Sequence, residues 1–329
     1  MLLEDLTTPA LVVDIDLLRG NLDAMDKVLP GARLRPHVKA HKCTALAALQ
    51  AKGGHKGFTC ATILEVERLA WAGLGDDLLL ANEVVDARRL AALDARVTLA
   101  VDSEKTIEVA VRDGIKEVVI DVNVGLPRCG CAPEEAGRLA ELAQTKGMKV
   151  RGVMGYEGHA QPLPTREMRA EVTEQAMARL LMAHADVGGE LITAGGTGTF
   201  DLNTWATEIQ AGSYALMDTA YGKLDLPFRP ALSVLATVIS TSLSGYAVAN
   251  CGLKSFGMDH GNPALISGED VFLVSDEHIT FATSKPVAVG GLVRVLPAHI
   301  DPTVAYHERM HLVSGSDVIE TWEVDMRGW

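Results

Sequence analysis

The chain has 329 residues, 48% hydrophobic and 22% charged: enough apolar material for a sizeable core, and the profile of an ordinary globular protein. A formal net charge of −13, with the acidic residues scattered along the chain, argues against nucleic acid or an anionic membrane as a partner. Short, broken apolar runs predict no membrane span, the opening MLLEDLTTPALVVDID lacks the basic start of a signal peptide, and five cysteines without a CxxC pair predict a reduced, cytoplasmic protein.

In chain order, ALVVDID predicts a strand and LLRGNLDAMDKVL the helix after it. Eight further β-branched runs follow: LRPHVKA (34–40), GFTCAT (57–62), DLLLAN (77–82), VTLAVDS (97–103), EVVIDVN (117–123), KVRGVMGYEG (149–158), LITAGGT (191–197) and TEIQAGSYALMD (207–218). Between most of them lie helical segments, among them TALAALQAKG, ILEVERLAWAG, PEEAGRLAELAQTKG and REMRAEVTEQAMARLLMAHADVG, several ending in Gly. Alternating strands and helices imply parallel βαβ units, and eight strands in series predict a (β/α)8 barrel. An open doubly wound sheet is the alternative, weakened because the first βα turn has no GxGxxG. After about residue 225 the helical period disappears, and Val-, Thr- and Ser-rich runs punctuated by Gly predict an antiparallel β domain. The prolines of LDLPFRPAL mark the boundary, giving a barrel over 1–225, whose first residues are free to join the β domain, and a β domain over 226–329.

Barrel chemistry sits at the C-terminal ends of the strands. In LRPHVKAHK, Lys39 falls at such an end, crowded by Arg35, His37, His41 and Lys42. Neighbouring cations lower a lysine's pKa, which suits Schiff-base formation; a solvated basic turn is the bland alternative. Strand seven closes in AGGTGTF and strand eight in QAGSYALMD, two Gly-rich ends of the kind that build a phosphate site from backbone N–H groups, with Thr197, Ser213 and Tyr214 adding hydroxyls. A strand-end lysine paired with a late-barrel phosphate cradle points to pyridoxal 5′-phosphate.

Near the C-terminus two metal patterns overlap. His307-Glu308-x-x-His311 spells HExxH, which needs a helix; DPT before it reads as a turn and LVSGSDVIETWEVDM after it as a hairpin, so a zinc-protease site is not expected. His299-x-Asp301 follows the strand LVRVLP, and residues i and i+2 of an extended segment point the same way. Such N/O ligation suits Mn²⁺, Mg²⁺, Co²⁺ or Zn²⁺, with a structural hydrogen bond as the alternative.

TPALVVDIDLLRGN, RPHVKAHK, GLPRCG, GYEGH, GGTGT, TEIQAGSYALMD, CGLKSFGMDHGNP, VSDEHITF and PAHIDPTV together resemble the alanine-racemase-fold (fold type III) pyridoxal-phosphate enzymes, over nearly the whole chain. The nearest group is the D-threonine aldolase, D-serine dehydratase and 3-hydroxy-D-aspartate aldolase branch. The resemblance implies a cofactor-carrying barrel followed by a C-terminal β domain, with Lys39 as the Schiff-base lysine and Arg128 beside the cofactor's phenolic oxygen. It implies Tyr156 facing the ring, and Thr197, Gly198, Gly212, Ser213 and Tyr214 at the phosphate or its neighbourhood. His159 is a possible proton-transfer group by position. His299 and Asp301 would hold the divalent metal, most readily Mn²⁺. In that group Asp at the second position favours the aldolases and Cys the dehydratases. The implied activity is metal-dependent cleavage of D-3-hydroxy-amino acids, D-threonine-like, to glycine and an aldehyde, by a homodimer. A D-serine or D-3-hydroxyaspartate dehydratase and a non-catalytic cofactor carrier are the alternatives; a two-base racemase would not need the metal pair. The chain is shorter than most members of that group, which leaves the preferred side chain open.

Overall fold

The computed structural model describes residues 1–283 and 286–329. The chain divides into two compact units, one of Met25–Lys39, Leu46–Gly212 and Gly328–Trp329, the other of Met1–Ala24, Ala40–Ala45 and Ser213–Arg327. The chain opens with β1 (Ala10–Asp14), α1 (Ile15–Val28) and, past residue 43, α2 (Thr44–Lys52).

The first unit holds seven parallel strands in chain order: β2 (Gly57–Cys60), β3 (Asp77–Leu80), β4 (Val97–Val101), β5 (Glu117–Asp121), β6 (Lys149–Gly155), β7 (Leu191–Ala194) and β8 (Glu208–Ile209). Between them run α3 (Ile63–Trp71), α4 (Arg88–Ala91), α5 (Glu104–Arg112), α6 (Ala136–Thr145) and α7 (Arg166–Val187). The run expected as the first barrel strand is reduced to two parallel bridges, Leu34 with Ile209 and His37 with Thr59. It nevertheless joins both edges of the sheet: Arg35 N–H donates to Ile209 O (2.9 Å), His37 N–H to Ala211 O (3.1 Å), and Thr59 N–H to Pro36 O (2.9 Å). Pro36 has no N–H to offer, so this position contributes only its carbonyl. The eighth expected strand is likewise short, giving way after Ile209 to the 3-10 turn Ser213–Ala215.

Period-two alternation sorts the strand side chains into layers. Leu79, Ala100, Val119, Met154 and Leu191, one from each of β3 to β7, form a buried apolar cluster. Each of the larger side chains, Leu79, Val119, Met154 and Leu191, contributes roughly 1.5–3 kcal/mol by leaving water. Two residues earlier on the same faces stand Asp77, Thr98 and Glu117, at or near the strand starts; two residues later stand Ala81, Asp102 and Asp121, at or just past the strand ends.

The N-terminal layer is ionic. Arg35 donates from Nε to Glu208 Oε1 (2.7 Å) and from a terminal nitrogen to Asp77 Oδ2 (2.8 Å). Arg151 reaches Asp77 Oδ1 (2.6 Å), Thr98 Oγ1 (2.8 Å) and Glu190 Oε1 (3.0 Å). Burial alone would lower the Arg35 pKa, but Glu208 and then Asp77 reverse that and leave it raised. Burial pushes the Asp77 carboxyl up; hydrogen bonds from Arg151 and Arg35 outweigh it and bring it down to about 2.

The second unit is built on β1 with β9 (Leu232–Ser242), β10 (Tyr246–Ala249), β11 (Ala264–Leu265), β12 (Val271–Val274), β13 (Ile279–Ala282), β14 (Leu292–Leu296), β15 (Arg309–Ser314) and β16 (Asp317–Glu323). The sheet runs β12-β13-β10-β9-β1-β15-β16, with β14 also paired to β9 and to β11. β1 is central, antiparallel to β9 (Leu11 opposite Val234) and parallel to β15 (Leu11 opposite Met310). Its near-continuous apolar run fits burial on both sides, and Ala10, Val12, Leu235 and Val313 pack together there. The turn expected over Asp301–Thr303 is instead a short helix, α8 (Ile300–Tyr306), with Pro302 in the first turn, where a missing N–H costs nothing.

Candidate active site

Lys39 lies in the 3-10 turn Val38–Ala40, directly after the segment that joins the sheet edges, and is half-buried. Its backbone N–H donates to His37 Nδ1 (3.4 Å). Gly212 sits against the same segment: a Cβ there would overlap the His37 carbonyl, so only glycine lets the chain leaving β8 lie this close.

Arg128 and Tyr156, 28 residues apart in sequence, are brought together. The exposed Arg128 guanidinium lies 5.5 Å from the centroid of the Tyr156 ring, and both line a small cleft with Asp121, Asn123, Leu126 and Cys129. Below them burial and the neighbouring Glu83 hold the Asp121 carboxyl well above the usual carboxylate range. A hydrogen bond to Glu83, then burial, pushes the Cys129 thiol up to about 11, so it is no ready thiolate ligand. Perturbed, like-charged groups of this kind gather at functional sites.

Thr197 and Gly198 are buried in the turn after β7. That turn is organised by two side chains the sequence reading passed over. The buried Glu157 carboxylate accepts from Gly195 N–H (3.0 Å), the Thr199 hydroxyl (2.9 Å) and Asn203 Nδ2 (3.2 Å). Gln161 Oε1 accepts the Gly198 N–H (2.7 Å), so that amide is already engaged within the protein. Glu157 stood in GYEGH with nothing to distinguish it from a surface acid; its role depends on residues about 40 positions away. His159, two residues on, is half-buried with Nδ1 buried and unpartnered among the described residues. Ser213 and Tyr214 open the second unit: Tyr214 is fully buried, 5.6 Å from the Phe228 ring, and the Ser213 carbonyl accepts Met217 N–H (2.8 Å).

In the second unit, His299 and Asp301 are brought together, but not as neighbours on an extended segment. His299 keeps strand-like angles (φ −144°, ψ 118°) as the cap of α8, and Asp301 lies in the helix's first turn. His299 Nε2 stands 4.0 Å from Asp301 Oδ2, a span one divalent ion could bridge. The α8 N-terminus also receives Asp218, whose Oδ2 accepts Ile300 N–H (3.1 Å) and whose pKa burial raises. Asp259 Oδ2 lies 2.8 Å from His299 Nδ1, and the His260 ring stacks on His299 at 3.9 Å and 12°. Neither was singled out in the sequence; the only signal was an Asp-His pair flanked by Gly257 and Gly261 in CGLKSFGMDHGNP.

The HExxH residues share no helix. His307 follows α8, with Nε2 on Ser255 O (3.0 Å), and burial lowers its pKa; His311 lies on β15 against Thr321 Oγ1 (2.8 Å). Glu308 pairs with Arg327 (2.9 Å).

A seven-stranded parallel sheet in one unit and a mostly antiparallel sheet in the other are an architecture found among known proteins. Residues 13–219 match the family described as alanine racemase, N-terminal domain, and residues 231–313 match the putative serine dehydratase domain. The chain belongs to the alanine-racemase-fold pyridoxal-phosphate enzymes. Among its relatives, it is 34% identical to D-threonine aldolase of Arthrobacter sp., over 98% of this chain and 93% of that protein. The crystal structure of D-threonine aldolase from Filomicrobium marinum superposes with a TM-score of 0.93 at 32% identity, covering 99% of this chain and 97% of the other. D-threo-3-hydroxyaspartate dehydratase from Delftia sp. HT23 gives 0.89 at 25% identity, covering all of both chains.

Proposed function

We propose that this chain is a pyridoxal-phosphate- and divalent-metal-dependent aldolase that cleaves D-3-hydroxy-amino acids of the D-threonine type to glycine and an aldehyde. The observation that carries the reading is the His299–Asp301 pair, with a carboxylate as the second donor, in a chain related end to end to a D-threonine aldolase.

The residues present fit both groups. Lys39 offers an amine, Arg128 a cation for a phenolic oxygen, and Thr197, Ser213 and Tyr214 hydroxyls and Gly212 side-chain-free backbone for a phosphate, with Gly198, its N–H held by Gln161, shaping the same turn. Tyr156, held under Arg128, offers a ring face. His299 and Asp301 form a nitrogen and oxygen donor set suited to Mn²⁺ first, with Mg²⁺, Co²⁺ or Zn²⁺ also accommodated. When bound, the cofactor supplies an electron sink for negative charge at Cα, and the cation supplies a Lewis acid for the substrate's β-hydroxyl. His159, with its unpartnered Nδ1, is our candidate to move the hydroxyl proton. All five cysteines are unbonded, which supports a reducing, cytoplasmic setting. Exposed Ile239, Tyr246, Phe272 and Leu273 on β9, β10 and β12 support a homodimer.

The dehydratase reading has one observation in its favour, the structural likeness to the Delftia enzyme. That enzyme has also been solved as a cysteine-to-alanine mutant in the metal-free form. By the resemblance, dehydratases carry a cysteine at the second ligand position; this chain has a hard carboxylate there, Asp301, which favours the aldolase. Product analysis decides: purified protein with cofactor, Mn²⁺ and D-threonine should release glycine and acetaldehyde. Release of a 2-keto acid and ammonia would replace the aldolase by the dehydratase, and cofactor binding without turnover under any divalent ion would leave a carrier.

A further inference from the structure

We infer that Asp259 is a positioning residue for the cation site: it holds the His299 ring in the tautomer and rotation that present Nε2 beside Asp301. This rests on the reading of His299 and Asp301 as cation ligands.

The argument starts from the proton inventory of an imidazole. A neutral ring carries one N–H, and the hydrogen bond made by one nitrogen decides which atom that is. An ionised carboxylate has no proton to donate and can only accept, and Asp259 Oδ2 lies 2.8 Å from His299 Nδ1. The proton is thereby placed on Nδ1 and the lone pair on Nε2, the nitrogen on the Asp301 side. The two ring nitrogens face diverging directions, so an ion on Nε2 lies away from Asp259. A carboxylate behind a ligating histidine is the usual device for fixing ring orientation and raising ligand basicity.

The backbone holds Asp259 in place. Gly257, two residues before it, forms an isolated antiparallel bridge with His299. The Thr303 hydroxyl ties the two segments together, accepting Gly257 N–H (3.0 Å) and donating to His299 O (2.6 Å). A Cβ at Gly257 would overlap the Pro302 ring, so the close approach requires glycine. His260 covers one face of the His299 ring, leaving the ring held at an edge and on a face.

One donor atom each from Asp259, His260 and His299 also lies within 4.8 Å of the others, so a different arrangement would make Asp259 a ligand. The test separates the two. Histidine ¹⁵N spectra of the metal-free, full-length protein report the His299 tautomer, and the electron paramagnetic resonance of free Mn²⁺ reports affinity. The wild type should show His299 as Nδ1–H. Asp259→Ala should shift it towards Nε2–H and weaken Mn²⁺ binding by about 10- to 100-fold. Asp259→Asn, whose amide oxygen still accepts from Nδ1–H, should restore the tautomer and most of the affinity. Gly257→Ala should reproduce the Asp259→Ala tautomer shift with the carboxylate still present. Unchanged tautomer and affinity in Asp259→Ala would overturn the inference. So would loss of Mn²⁺ binding in His260→Ala as complete as in Asp301→Ala, because the ion would then sit among Asp259, His260 and His299. A wild type that binds no Mn²⁺ sinks the cation reading itself, while the tautomer comparison still decides whether Asp259 sets the ring.

Discussion

The two ends of the barrel are made from the same strands and the same alternation of side chains, yet they are filled in opposite ways. At the N-terminal end, Arg35 and Arg151 are matched against Asp77, Glu208 and Glu190 in a closed network with short hydrogen bonds. At the C-terminal end, like charges are set side by side: burial and Glu83 drive the Asp121 pKa upward, and Arg128 stands exposed over a tyrosine ring. Closed ion networks fix the strands to one another. Unbalanced groups poised over an apolar layer are what a reactive ligand can complete.

Variants at each end should therefore separate activity from stability. The largest effects are expected at the residues proposed to hold the ligands, Lys39 in the barrel and Asp301 in the other unit. Lys39→Ala should remove the visible cofactor band and all measurable cleavage of D-threonine. Asp301→Ala should keep the band and lose turnover by about 10³-fold, the several kcal/mol a Lewis acid supplies. Neither should move the urea midpoint of the apoprotein; a large shift there would mean that the site also holds the fold together.

Arg35→Met reverses the pattern. It leaves Glu208 buried without its cation and Asp77 with Arg151 alone, a loss of about 3 kcal/mol in urea unfolding, with the cofactor band intact in the folded fraction. Asp77→Asn is milder. The folded carboxyl has a pKa of about 2 against an ordinary 3.8, so its contribution is complete above pH 3.8 and is lost as pH falls towards 2. At neutral pH the variant should lose roughly 2 kcal/mol, and its stability should decline less steeply across that acid window than the wild type's. A parallel decline in both proteins would remove Asp77 from the acid response. Smallest is Arg128→Lys, which keeps the charge but loses the planar contact with Tyr156. Cofactor affinity should fall by only a few-fold, about 0.5–1 kcal/mol.

Much of this plan could be read from the chain because it is written locally. The β-branched runs from GFTC to LITA each became a strand, and the helix of REMRAEVTEQAMARLLMAHADV ran to its terminal glycine. Lys39 and His299-x-Asp301 could be proposed from the sequence because each closes or follows an expected strand, LRPHVKA and LVRVLP. What could not be read depends on distance in sequence. Arg35 meets Glu208 across 173 residues, and β1 is flanked by partners from beyond residue 231. Asp259 acquires a meaning only once Gly257 has brought it beside His299. The α8 helix was missed because Asp-Pro reads as a turn when its tertiary support, Asp218 beneath the first N–H, is invisible.

The most direct test treats cofactor-loaded protein with borohydride and maps the modified peptide by mass spectrometry. The account predicts one reduced pyridoxyl adduct, on the Lys39 side chain, and none in the Lys39→Ala protein. An adduct confined to Lys42 or another lysine, or a loaded protein with no adduct at all, would contradict it.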